Sequence, residues 1–164
     1  MSKFAQGRFE MKNPAKYVGK KTPLARSSWE FVFMRMLDEH QGVENWASES
    51  IQIPYRDPMT GKYTIYVPDF FVVYKDKTGK KHAEVVEVKP QSQTLRESVG
   101  KSRYNQEQYI KNMAKWEAAT AWCKQQGIRF RVVRTDKLQV LCPQLVVEEE
   151  FVGLFYSVKD LKWL

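Results

Sequence analysis

Three charged residues on two neighbouring predicted strands could together hold a cation. The segment Tyr63–Tyr74 is rich in β-branched and aromatic residues, Lys75–Lys81 is charged and contains a glycine, and His82–Lys89 is again rich in valine. This pattern predicts two β-strands joined by a tight turn. Alternation along the second strand puts Glu87 and Lys89 on one face, so a carboxylate and an ammonium project side by side.

The turn decides whether a second carboxylate joins this pair. If the hairpin folds about Thr78, Asp69 lies opposite Glu87, about 5 Å away on the same face, whereas a one-residue shift breaks this register. Two carboxylates about 4 Å apart repel by roughly 4 kcal/mol at an effective dielectric constant near 20. Lys89 offsets part of this, and a divalent cation could offset all of it. The pattern suits Mg²⁺-assisted attack of water on a phosphodiester; the alternative is a half-buried strand whose charged residues merely pair with neighbours.

These residues resemble the signature of the PD-(D/E)xK nuclease superfamily, in which Pro-Asp is followed by an acidic residue and a lysine two positions later. Here the matching segments are Pro68-Asp69 and Glu87-Val88-Lys89. The resemblance implies that Asp69 and Glu87 hold Mg²⁺, for which Mn²⁺ can substitute. It implies for Lys89 a catalytic role in positioning or activating the attacking water.

The charge of the chain points to an anionic partner. The net charge is +8 and the isoelectric point is near 9.4, which favours double-stranded DNA. Seven basic residues are candidates for DNA contacts, and a solvated surface is the alternative for any single one. The seven are Lys20, Lys21, Arg26, Lys101, Arg103, Lys111 and Lys115.

The first predicted helix begins at Ser27 or Ser28 and ends near His40, with an apolar stripe at helical spacing. Glu30 has two interpretations in its first turn. Ser27 and Glu30 have the spacing of a capping box, in which the glutamate returns to the backbone of Ser27. The segment Arg26–Glu30 also resembles the start of many nucleases of this superfamily, which implies a third acidic residue, Glu30, at the metal and catalytic site.

The remaining pattern predicts an α/β fold with a restriction-endonuclease-like αβββαβ core, a mixed central sheet flanked by helices. A strand Ser48–Tyr55, a turn and the hairpin form an antiparallel meander, followed by a helix over Ser102–Gln126 and a strand over Ile128–Val133 that runs parallel to the Glu87 strand. Glu49 on the first of these strands is either a further acidic contributor to the metal site or, as we favour, the partner of a buried Arg or Lys.

The chain divides into three predicted parts. Residues 1–25 are a basic extended arm, residues 26–141 are the nuclease domain, and residues 142–164 are an extension that packs on the domain or on a partner. No apolar run is long enough to span a bilayer. Because the first residues lack the apolar core of a signal peptide, no secretion signal is expected. Cys123 and Cys142 lack the spacing of a metal site.

A narrower resemblance covers most of residues 14–141. Arg26–Glu30, Trp46–Glu49, Ile53–Tyr55, Lys115–Ala119 and Gly127–Phe130 resemble the head-completion nucleases of T-even-like tailed phages. The segments Tyr66–Phe70 and Val86–Pro90 are similar, more distantly, to the DNA-cleaving subunit of heteromeric transposases.

The phage resemblance implies an endonuclease that acts on DNA in head completion after packaging, with portal or neck proteins as partners. The expected location is the host cytoplasm during assembly, with incorporation into the virion left open. The alternatives are a structural head or neck protein that keeps the nuclease fold but mainly binds DNA or the portal, and a transposase-type or repair nuclease.

Overall fold

A computed structural model describes residues 6–94, 96 and 99–135 and the backbone of residues 156–157. Two short 3₁₀ turns, Pro14–Lys16 and Gln91–Gln93, accompany the regular elements. The helices and strands are β1 (Gly7–Arg8), β2 (Leu24–Ala25), α1 (Ser28–Glu39), β3 (Val43–Ser48), β4 (Ile53–Arg56), β5 (Tyr63–Tyr66), β6 (Phe70–Lys75), β7 (Lys81–Lys89), α2 (Arg103–Gln125), β8 (Arg129–Arg134) and β9 (Tyr156–Ser157).

A mixed sheet lies at the centre, with its strands in the order β3-β6-β7-β8-β9. Neighbouring strands are antiparallel except β7 and β8, which are parallel because α2 forms the crossover between them. The β6–β7 hairpin pairs Tyr74 with His82 and Phe70 with Val86, so the predicted register is confirmed. The order α1, β3, β6, β7, α2, β8 confirms the predicted αβββαβ core and the mixed α/β fold class.

Two of the predicted strands were wrong in their extent. No strand covers Ser48–Tyr55 as expected: β3 ends at Ser48 and β4 begins at Ile53, because Glu49 has a φ of 47° and turns the chain out of the sheet. The strand expected over Tyr63–Tyr74 is interrupted before Asp69, where Pro68 has no N–H for the ladder. The predicted meander is therefore wrong: β4 and β5 form a separate antiparallel hairpin inserted between β3 and β6.

Both predicted helices are confirmed, and each packs on one face of the sheet. The hydroxyl of Ser27 caps α1, that of Ser102 caps α2, and Gly127 with a φ of 71° follows the end of α2. The cluster beneath α1 includes Phe33, Leu37, Trp46, Phe70 and Val86. The cluster beneath α2 includes Trp116, Ala119, Phe130 and Val132 together with Ile53, Tyr55 and Tyr66 of the inserted hairpin.

The hairpin is thereby held against α2, and this contact places β5 beside the end of β7. Since β5 leads through Pro68 directly into Asp69, the same packing fixes where the first predicted acidic residue lies. The inserted hairpin is thus a structural support for the site.

The basic N-terminal segment departs from the expected arm over its described residues, 6–25. It contains no α-helix, as predicted, but it packs on the domain. β1 pairs with β2, Phe9 and Ala25 are buried, and the buried carboxylate of Asp38 accepts hydrogen bonds from the backbone N–H groups of Lys12 and Asn13. Buried apolar side chains and the hydrogen bonds to the Asp38 carboxylate therefore hold this segment in place.

The predicted extension of residues 142–164 lies outside the described residues, except that the backbone of β9 pairs with β8. Cys142 is likewise outside them. Among the described residues, none of the helices is both long enough and apolar enough to cross a membrane.

Candidate active site

Glu87 is the most constrained side chain of the predicted site. It lies near the end of β7, and only 4% of its surface is exposed. Its Oε2 accepts a hydrogen bond from the Tyr66 hydroxyl at 2.7 Å and one from the Asp69 backbone N–H at 3.3 Å. Its Oε1 lies 3.1 Å from the Nζ atom of Lys89. These contacts fix both carboxylate oxygens in one orientation.

Asp69 lies across the hairpin from Glu87, as the register predicted. Its Oδ2 accepts a hydrogen bond from the Val88 backbone N–H at 2.8 Å, so the carboxylate is directed toward the end of β7. Burial, followed by the negative charge of Glu87, raises the pKa of Asp69 well above its usual value, against the opposing effects of the Val88 N–H and Lys89. The site therefore attracts a positive charge, either a proton or a cation.

Lys89 completes the predicted patch. Burial alone would lower the pKa of this lysine, but the carboxylates of Glu87 and Asp69 outweigh burial and raise it. The side chain is 27% exposed, so the ammonium contacts Glu87 on one side and remains open to solvent. The structure thus brings together the three residues that were predicted to share one surface.

Glu30 combines features of both predicted roles. Its backbone N–H donates to the Ser27 hydroxyl at 3.1 Å, but its carboxylate accepts from the Arg26 N–H at 3.0 Å and not from that of Ser27. Only half of the predicted capping box is present. The charge of Glu30 also contributes to the raised pKa values of Asp69 and Lys89, which places it in the electrostatic field of the site.

Among the residues that the structure describes, no three His, Cys, Asp or Glu side chains group closely enough to hold a metal ion. Asp69 and Glu87 would therefore share a metal with water and phosphate oxygens, which is a common arrangement for Mg²⁺. The oxygen donors and the raised pKa of Asp69 fit a hard divalent cation. Direct ligation by Glu30 stays a prediction.

Glu49 is paired with an arginine, as we favoured, but the pair is not buried. Its two carboxylate oxygens lie 3.0 and 3.1 Å from the guanidinium nitrogens of Arg26. The Arg26 side chain is 53% exposed, so the expectation of a buried partner was wrong. The turn at Glu49 moves its side chain out of β3, where alternation would have pointed it into the sheet face. A metal role for Glu49 stays a prediction.

The predicted DNA-binding residues lie at the surface, and they differ in whether an acidic side chain pairs with them. Lys20, Lys21 and Lys101 are exposed. Arg103 pairs with Glu107 at 3.0 Å, and Lys111 lies 3.9 Å from Asp57. Their contacts with DNA stay predictions, and Arg26 would have to leave Glu49 to make one.

Tyr66 is a site residue that strand patterns missed. Burial, and then the charge of Glu87, raise the pKa of its hydroxyl well above the usual value, so it remains a proton donor to Glu87. One signal was available, because Tyr66 is two residues before Pro68 in the segment that resembles the transposase subunit.

The fold is that of a PD-(D/E)xK endonuclease, and comparison with known proteins agrees. Residues 40–135 match the family described as TnsA-like endonuclease N terminal, and the chain therefore belongs to this family and is an endonuclease. Such enzymes generally use a divalent metal.

The head completion nuclease of Enterobacteria phage T4 is 32% identical to this chain over 145 residues, which cover 82% of this chain and 94% of that protein. The resemblances to the PD-(D/E)xK superfamily, to phage head-completion nucleases and, more distantly, to the transposase subunit are thus confirmed. Action on DNA is the activity expected of a nuclease of this kind.

Proposed function

We propose that this chain is a Mg²⁺-dependent DNA endonuclease that acts in the completion of a phage head after DNA packaging. The likeness to the head completion nuclease extends over nearly all of that protein, which supports the biological role. The observation that carries the chemistry is the contact of Lys89 with Glu87 at 3.1 Å beside the Asp69 carboxylate. A carboxylate pair with an adjacent ammonium suits hydrolysis of a phosphodiester.

Each residue has a distinct role in this proposal. Asp69 and Glu87 would hold the metal; when bound, a divalent cation polarises the phosphodiester and lowers the pKa of a water molecule. Lys89, charged beside Glu87, orients the attacking water and stabilises negative charge on the phosphate. Tyr66 keeps Glu87 in place, and Glu30 adds negative charge from the start of α1. The water attacks directly, without a covalent intermediate, and Mn²⁺ substitutes for Mg²⁺.

Double-stranded DNA would bind through the phosphate backbone. The net charge of +8 supports this, as do exposed lysines such as Lys20, Lys21 and Lys101. Contacts of this kind give an affinity that falls steeply with salt and depends little on base sequence. The proposal also includes portal or neck proteins as partners. The chain would meet them in the host cytoplasm during assembly and in the virion.

Cleavage of supercoiled plasmid tests the proposal. The wild type should nick or linearise the plasmid with Mg²⁺ or Mn²⁺ and should be inactive in EDTA. Asp69→Asn and Lys89→Met should lose at least about 100-fold in rate, the scale of one lost electrostatic stabiliser. The exposed α2 residue Glu117, changed to Gln, is a matched control with an altered charge that should keep wild-type activity. Unchanged cleavage in both site variants would contradict the proposal.

A second candidate is a nuclease that acts outside phage assembly, which the match of residues 40–135 to the TnsA-like family favours. Two experiments separate these candidates. In the first, Asp69→Asn is supplied in place of the wild type during infection, and the filling and the infectivity of the heads are measured. In the second, mass spectrometry of purified virions and of infected cells shows where the chain is present. Heads that fill but are not infectious support head completion, whereas normal virions without this chain support the second candidate.

A further inference from the structure

Lys115 on α2 lies close to the site but belongs to none of the predicted motifs that hold a metal. Its Nζ atom is 5.9 Å from the centre of the Tyr55 ring and 5.7 Å from the centre of the Tyr66 ring. The hydroxyl of that same Tyr66 donates to Glu87. One aromatic side chain therefore separates the Lys115 ammonium from the carboxylate at the centre of the site.

This ammonium is poorly compensated. Over residues 6–94, 96 and 99–135, no Asp or Glu oxygen lies within ion-pair distance of Lys115, whereas Lys89 has Glu87 and Lys111 has Asp57. The aromatic rings provide only a weak attraction for a cation. Burial, and then the positive charges of Lys89 and Lys111, lower the pKa of Lys115 against the opposing effects of Glu87 and Asp57, so a bound anion would stabilise this charge.

We propose that Lys115 binds a phosphate oxygen of the DNA strand at the Asp69–Glu87 centre, from the α2 side. This inference rests on the proposed function, because the anion is the DNA phosphate. It gives α2 a direct role in substrate binding in addition to its role in the core. The rings of Tyr55 and Tyr66 both lie beside the ammonium, which limits the positions that it can take.

Four variants test the inference. Lys115→Met keeps the apolar stem and removes the charge, Lys115→Gln is a second neutral variant, and Lys115→Arg restores the charge. Lys124→Met is the matched control, because Lys124 is an exposed lysine about 13 Å further along α2. Steady-state cleavage of a defined duplex gives kcat and KM. Binding of the same duplex in EDTA at several salt concentrations gives the slope of log affinity against log salt.

The two neutral variants should lose about tenfold or more in kcat/KM, and their salt slope should be smaller by about 1, the loss of one phosphate contact. Lys115→Arg should recover most of the loss, and Lys124→Met should match the wild type. A merely structural lysine would instead lower the melting temperature and leave the salt slope unchanged, which would overturn the inference.

The inference and the proposed function fail in different ways. If Asp69→Asn is inactive while the neutral Lys115 variants keep wild-type kcat/KM and salt slope, only the role of Lys115 is wrong. If Asp69→Asn cuts normally, the proposed site is wrong. The salt slope in EDTA measures the Lys115 contact in either case, because it does not depend on cleavage.

Discussion

Replacing Asp69 with asparagine should stabilise the metal-free protein while abolishing cleavage. Burial is the largest effect that disfavours the charge of Asp69, and the charge of Glu87 is the next. For scale, two carboxylates about 4 Å apart repel by roughly 4 kcal/mol at an effective dielectric constant near 20. Lys89 lies 3.1 Å from Glu87 and offsets part of this repulsion. The amide oxygen of asparagine can still accept the hydrogen bond that the Val88 N–H donates at 2.8 Å. We therefore expect a gain of about 1–2 kcal/mol in the free energy of unfolding.

Thermal unfolding followed by tryptophan fluorescence measures this gain. For a chain of this size, about 1 kcal/mol corresponds to roughly 2–4 °C in Tm. In EDTA the variant should therefore melt about 2–8 °C above the wild type. In saturating Mg²⁺ the wild type should gain stability through binding, whereas the variant should gain little. A variant that melts below the wild type in EDTA would refute the reasoning, because it would mean that Asp69 is not held against a repelling charge.

The pH dependence of the difference in Tm between Asp69→Asn and the wild type tests the same reasoning. The pKa of Asp69 is raised in the folded protein, so the folded state binds this proton more tightly than the unfolded state does. The stability that the proton contributes is fully present below the ordinary aspartate pKa of about 3.9 and is lost as the pH rises through the raised pKa. The two proteins should therefore have similar Tm values at acidic pH and diverge as the pH rises. A constant difference would point to a cause other than this titration.

Three further substitutions test neighbouring contacts. Glu30→Gln should weaken metal binding and cleavage. It should change the unfolding free energy by less than about 1 kcal/mol, because the amide oxygen can still accept the hydrogen bond from the Arg26 N–H. Normal turnover with lower stability would mean that Glu30 is only a helix cap. Tyr66→Phe should cost about 1–3 kcal/mol in urea unfolding, since it removes a donor to the buried Glu87, and a neutral result would mean that water replaces this donor. Arg131→Met should cost about 3–5 kcal/mol, because Arg131 pairs at 2.9 Å with the fully buried Glu84; an effect below about 1 kcal/mol would mean that Glu84 is neutral in the folded protein.

The parts of the fold that were predicted correctly depend on local signals. The hairpin register follows from the turn between β6 and β7, and the ends of both helices follow from Ser27, Ser102 and Gly127. Since the two strands of a hairpin are close in sequence, the register alone brought Asp69 opposite Glu87. The central pair of the site was therefore accessible from the sequence.

What was missed depends on contacts between segments that are distant in sequence. The strand pattern continued through Glu49 and through Pro68, whereas the chain leaves the sheet at these points and its inserted hairpin packs against α2. The same packing brings Tyr66 to Glu87 and Lys115 to the Tyr66 ring. Helical periodicity places Lys115 on α2, but it does not indicate that this part of the helix faces the end of β7.

Crystals grown with Mn²⁺ and measured near the manganese absorption edge would test the central claim most directly. We expect an anomalous peak for a manganese ion that is ligated by carboxylate oxygens of both Asp69 and Glu87, with Lys89 beside it. Crystals of Asp69→Asn should show no peak at this position. An active wild-type enzyme whose manganese binds elsewhere, with these two carboxylates unligated, would contradict this claim.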